Sequence, residues 1–193
     1  MLSRAVYGPL DRVRRVSRVM QGMIVIGAAV LLLVLLWAWL GPLGVIEKDL
    51  AGVGRVKVEA LMRLPFPAPA MTDQTQRIAT IVQTLPLVLA LYALYQAYQL
   101  FAGYRGGEVL TIRAASRLRH ISYAMLAVAV TVPLLGAALS VALTWNSSSG
   151  QWHLHVPLEA GDYFTAALAG LLLAIAHVLT EAAKIARENS EIV

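Results

Sequence analysis

Between Gly22 and Leu40 the chain runs for nineteen residues without one charged side chain. Wound as a helix at about 1.5 Å per residue, such a run crosses the roughly 30 Å hydrocarbon core of a bilayer. Counted from residue 21, it is the first of four apolar runs, at about 21–40, 78–101, 121–143 and 163–181. No other feature constrains the fold as strongly, because in hydrocarbon every backbone N–H and C=O must be paired within the protein, which a helix does with its own residues. Composition agrees: 59% hydrophobic and 14% charged residues, with a mean hydropathy of +0.68, are too apolar for an ordinary soluble domain. The expected fold is an all-α integral membrane protein, a single domain over 1–193 with four transmembrane helices. The first run is longer than the core of a typical cleaved signal peptide, and Trp37-Ala38-Trp39 offers no small-residue cleavage site. Those tryptophans suit a membrane interface instead.

The stretch Leu100–Ala124 sets the direction of every segment around it. It joins two apolar runs and carries four arginines against one acid, and such connectors stay on the cytoplasmic side. With 1–20, 102–120 and 182–193 inside, eleven Lys/Arg face the cytoplasm, five lie in the outer loop 41–77 and none in the outer loop 144–162. The expectation is a multi-pass protein of the bacterial inner membrane with both termini cytoplasmic. Topology thus accounts for the excess of 16 Lys/Arg over 11 Asp/Glu, and no direct nucleic-acid binding is expected. Residues 1–20 read as a separate short amphipathic helix, with Leu10, Val13, Val16 and Met20 on one face and Arg12, Arg14, Arg15 and Arg18 around the rest. In the connector, Gly106-Gly107 supplies a turn, and Thr111 caps a helix bearing Arg113, Arg117 and His120. Arg12, Arg15, Arg113, Arg117 and Arg119 are the expected contacts for a partner or anionic lipid. The plainer role of such a run is a topogenic flank.

Further features concern the helices and the outer loops. Pro86 and Pro133 fall inside the second and third runs, where neighbouring helices can satisfy the backbone groups they free. Asp73 and Gln76 form a capping-box pattern ahead of the second run. Tyr92, Tyr95, Gln96, Tyr98 and Gln99 form a polar-aromatic band toward its inner end, as interhelical hydrogen bonding or, less commonly, an ion path would require. Gly136 with Ser140, and Gly170 with Ala174, are small residues four apart that let another helix approach closely. In the outer loops, Arg55–Ala60 and Gln151–Val156 alternate polar and apolar, the period of a half-buried strand. A small β-containing extracytoplasmic region is therefore expected, with Trp152, Leu154 and Val156 on one face and the histidines on the solvent edge. Asp162, just before the last run, is expected to cap its helix.

Chemistry-bearing patterns are few. With no cysteine there is no disulfide, thiol catalysis or Cys-ligated metal. The single metal-like arrangement is His153-x-His155 with Glu159 and Asp162 nearby, since two imidazoles on one strand face can share an ion. Such a face is more often a solvated edge, so neither metal nor cofactor is expected. His177, one turn before Glu181, could relay protons but lies close enough to the interface to reach water. No phosphate loop, HExxH motif or nucleophile elbow occurs, and the apolar runs hold no buried carboxylate that could serve as a central coupling site. The expectation is a protein that is not an enzyme.

Three segments taken together, Gly107–Thr111, Arg117–Ile121 and the tail Glu181–Val193, resemble a bacterial membrane family known only as domain of unknown function 2975. The likeness covers the second to fourth runs and the tail. The resemblance implies a four-helix membrane domain, often encoded beside or associated with a small helix-turn-helix regulator, and it brings no catalytic residues. The function expected is that of a non-enzymatic sensor, anchor or regulatory partner of a cytoplasmic protein, held in the lipid bilayer and able to form homo-oligomers. The alternative is a small transporter or channel subunit whose oligomer lines a path with the Tyr92–Gln99 band.

Overall fold

The computed structural model describes residues 4–40, 73–107, 111–144 and 154–191. They form four helices: α1 (Arg4–Leu40), α2 (Asp73–Arg105), α3 (Ile112–Thr144) and α4 (Ala160–Glu191). Each contains a span long and apolar enough to cross a membrane, at Val13–Leu33, Thr84–Arg105, Ile112–Val141 and Ala160–Ala186. Each whole helix also exceeds the bilayer core: 32 to 37 residues reach about 50 Å at the helical rise. The all-helical architecture and the four spans expected from sequence are present.

Two boundaries differ from expectation. The basic segment 1–20 and the first apolar run are one continuous helix, and the connector helix bearing Arg113 and Arg117 runs without a break into α3. Nothing at residues 18–23 or 119–122 can stop a helix once it has formed, because neither stretch holds a proline and a lone Gly22 costs only about 1 kcal/mol. α2 and α3 pass through Pro86 and Pro133, both buried.

The β-containing region expected from Gln151–Val156 and Arg55–Ala60 is not confirmed. Residues 154–159 carry no strand pairing, and there is no strand among the described residues. Its other half, Arg55–Ala60, lies outside the described residues, as do 151–153. A strand needs a ladder partner for its backbone. At His155 the backbone N–H goes instead to the Ser140 hydroxyl of α3 at 3.0 Å, and that oxygen lies 2.8 Å from the Ala137 carbonyl of its own helix and 3.2 Å from the His155 carbonyl, which share its one proton.

The helices pack in chain order: α1 on α2, α2 on α3 and α3 on α4, with no comparable contact between any other two among the described residues. The result is an open row with α3 inside it, rather than a closed bundle. What is buried is mostly small, Leu100, Ile121 and Leu139 being the large apolar exceptions. The interior holds Ala114, Ala115, Ala124, Ala129, Ala169, Ala176, Ala183, Ser17, Ser122 and Ser140, whereas Val, Leu and Ile side chains crowd the exposed surface of every helix. A soluble protein places its large apolar residues the other way round. Membrane helices, lacking a hydrophobic force between them, associate through close backbone approach at small residues.

α3 presents two faces. Ala114, Leu118, Ile121 and Met125 pack with Leu100, Ala97 and Tyr104 of α2. About 100° around the helix, the buried or half-buried Ala115, Ser122, Ala129 and Gly136 recur every seventh residue, as do the buried Asp162, Ala169, Ala176 and Ala183 of α4. Two stripes of the same seven-residue period suit the packing of α3 on α4. The small pair Gly170 and Ala174 faces outward; nothing lies within 4 Å of a Cβ built on Gly170.

Candidate functional site

One end of the row gathers the cations. α1 and α2 meet where Gln21 of α1 donates from Nε2 to the Tyr98 carbonyl (3.3 Å) and accepts at Oε1 from Arg105 Nη1 (2.9 Å). α2 and α3 meet where Arg117 Nη1 donates to the Gln99 carbonyl. Gln21 of α1, the last turns of α2 and the first turns of α3 therefore meet on one side.

Local sequence explains the turn at this end. Gly107 takes φ +89°, a conformation costly for any residue with a Cβ, and its N–H reaches the Tyr104 carbonyl at 3.1 Å, closing the end of α2. Thr111 Oγ1 accepts from the Ala114 N–H at 3.1 Å, the N-cap expected from sequence, and opens α3. Phe101 and Tyr104 meet edge to face with centroids 5.9 Å apart beneath the turn.

The candidate contact residues divide in two. Arg15, Arg113 and Arg119 are exposed, together with Arg14 and Arg18. Arg117 is half-buried and spends its guanidinium on α2. Arg12 lies within α1, its side chain outside the described residues. His120 is exposed with Nδ1 2.7 Å from the Ser116 carbonyl. Gln21 and Arg105 escaped sequence reading; the available signal was a lone amide at the mouth of an apolar run, a group that in a bilayer must find a partner. On α2 the tyrosines Tyr92, Tyr95 and Tyr98 face outward, Tyr95 accepting at its hydroxyl from Gln99 Nε2 at 3.2 Å.

The opposite end is built on α3 and the connector before α4. Ser140 is fully buried against His155, and Pro157 is buried over Gly136, where an added Cβ would stand 2.5 Å from the proline Cγ. What approaches this small pair closely is thus the connector, not the helix expected from its spacing. Alternation survives with its faces exchanged: Leu154, Val156 and Leu158 are exposed, while His155 is half-buried and Pro157 buried. Asp162 is also shifted in role. α4 begins two residues before it, and Asp162 Oδ2 accepts the Glu159 N–H at 3.1 Å, the backward half of a capping box with Glu159 at the cap position.

For metal binding, His153 lies outside the described residues, and no group of three His, Cys, Asp or Glu side chains gathers among them. His177 is exposed, its Nδ1 3.2 Å from the Leu173 carbonyl, and the nearby Glu181 pairs with Lys184 at 2.8 Å.

A family model described as protein of unknown function (DUF2975) matches residues 59–193, a stretch that takes in α2 to α4 and leaves out α1. No curated protein and no solved structure matches the chain.

Proposed function

The chain belongs to the family of proteins of unknown function DUF2975, and from that premise we propose a non-enzymatic protein of the bacterial inner membrane that holds a cytoplasmic regulatory protein at the bilayer. Its basic end is the docking surface. The observation that carries this reading is the separation of the arginines by role. Arg105 and Arg117 are consumed in tying α1 and α3 to α2, whereas Arg14, Arg15, Arg18, Arg113 and Arg119 remain exposed around the tied ends. Such a surface attracts a partner with an acidic face and sets its approach more than its final affinity. A small helix-turn-helix regulator is a partner of suitable size.

The test is affinity purification in mild detergent of the chain and of Arg14→Glu/Arg15→Glu/Arg113→Glu/Arg119→Glu. A soluble, acidic-faced protein retained by the first and lost with the second is the expected result. Recovery of the same partner with both, or of none with either, refutes the docking role.

A further inference from the structure

We propose that residues 154–158 form a shallow re-entrant segment at the end opposite the exposed arginines, its outer face covered by lipid at the upper boundary of the hydrocarbon core. This rests on the membrane reading of the four helices. Three independent observations lead to it.

The first is which way the segment faces. A connector lying in water turns its apolar residues toward the protein and leaves its polar ones outside. Here the inward positions are His155 and Pro157, and the outward ones are Leu154, Val156 and Leu158, at 60%, 45% and 73% exposure. Tyr163 and Phe164, at the start of α4, extend this surface at 80% and 78%. Five large apolar side chains directed outward at one level call for an apolar medium, and a tyrosine beside them suits the interface.

The second is depth. Arg119 and His120 are the last ionisable side chains before the apolar run of α3, so the core begins near Ile121. At the helical rise Gly136 stands about 22 Å above that level and Ser140 about 28 Å, both within a core roughly 30 Å thick. Measured from Glu181 on α4, the same thickness ends near Gly161. Pro157, seated on Gly136, therefore lies below the upper boundary, and the exposed Glu159 stands at headgroup level.

The third is the backbone. Irregular chain at membrane depth persists only where its polar groups are satisfied within the protein. Three of the segment's N–H groups are held in this way: that of His155 by Ser140 Oγ at 3.0 Å, that of Leu158 by the Val156 carbonyl at 2.9 Å and that of Glu159 by Asp162, while Pro157 has no N–H to satisfy. The fully buried Ser140 and the bare Cα of Gly136 are thus the seat of the segment on α3.

The chain has no cysteine, so spin labels can be placed singly by Leu154→Cys, Val156→Cys and Leu158→Cys, with Leu171→Cys on the exposed face of α4 and Arg119→Cys as references. In vesicles of phosphatidylethanolamine and phosphatidylglycerol, collision with oxygen is compared with collision with a water-soluble nickel chelate. All three connector labels are expected to favour oxygen, as Leu171 does, with Arg119 favouring nickel. Adding Gly136→Leu, which leaves no room for Pro157, is expected to raise nickel collision at position 158. Connector labels that match Arg119 while Leu171 favours oxygen overturn the re-entrant segment and leave the membrane reading standing. A Leu171 label that also matches Arg119 overturns both. An unchanged label at position 158 beside Gly136→Leu shows that the segment is not seated on α3 and overturns the proposal as well.

Discussion

Replacing Gly136 with alanine adds a single methyl group where the structure leaves no space. The new Cβ would stand 2.5 Å from Pro157 Cγ and 3.1 Å from Cδ, against the ~3.5–4.0 Å of ordinary carbon contact. The ring must retreat by about 1 Å. It cannot do so alone, because two residues before it His155 is bonded to Ser140 and two residues after it Glu159 is bonded to Asp162. Overpacking of this kind costs ~1–3 kcal/mol, offset by the ~0.5–1 kcal/mol that alanine gains over glycine inside a helix. The net expectation is a loss of about 0–2.5 kcal/mol. Gly170→Ala is the control: nothing lies within 4 Å of its Cβ, so the helix gain of up to about 1 kcal/mol stands unopposed. Unfolding in mixed micelles by added dodecyl sulfate, followed by circular dichroism, measures both. Ser140→Ala removes the acceptor of the His155 N–H and should cost ~1–3 kcal/mol. The double variant should fall short of the sum, because either change alone releases the same connector. If Gly136→Ala proves as stable as Gly170→Ala, Pro157 does not rest on α3.

Two further stability predictions use the same assay. Ala176→Leu places three extra carbons in the α3–α4 seam and should cost ~1–3 kcal/mol, whereas Ala174→Leu, on the exposed face, should stay within about 0.5 kcal/mol of the starting protein; equal effects would move the seam to the other face. Thr111→Ala loses the cap of α3 and should cost roughly 1 kcal/mol, with Thr111→Ser near neutral; loss of stability in both would assign Thr111 a role beyond its hydroxyl.

The sequence made legible those features with local causes. Long charge-free runs place the four spans, and the Thr111 cap and the Gly107 turn follow from what a hydroxyl and a missing Cβ do at helix ends. Features that depend on what lies opposite were harder to read. Alternation at 151–156 is a period of two, but period alone does not say which face lies outward: Leu154 and Val156 are exposed and His155 is half-buried, the reverse of the expected arrangement. Gly136 and Ser140 were correctly marked as a place of close approach, with the wrong visitor. The α3–α4 seam went unseen because one alanine in seven does not stand out in runs already rich in alanine. Gln21 and Arg105 come together from positions far apart in the chain, Arg117 reaches back to the Gln99 carbonyl, and no local pattern announces that two of sixteen cations are spent on tying helices.

The claim on which the account most depends is that the arginine end faces the cytoplasm and the connector end faces away from it. Single cysteines at Arg119→Cys and Ser148→Cys, in a chain with no others, can be probed in intact cells with a membrane-impermeant maleimide and again after lysis. The positive-inside arrangement predicts that position 148 labels in intact cells while position 119 labels only after lysis. Labelling of position 119 from outside, with position 148 protected until lysis, would contradict it.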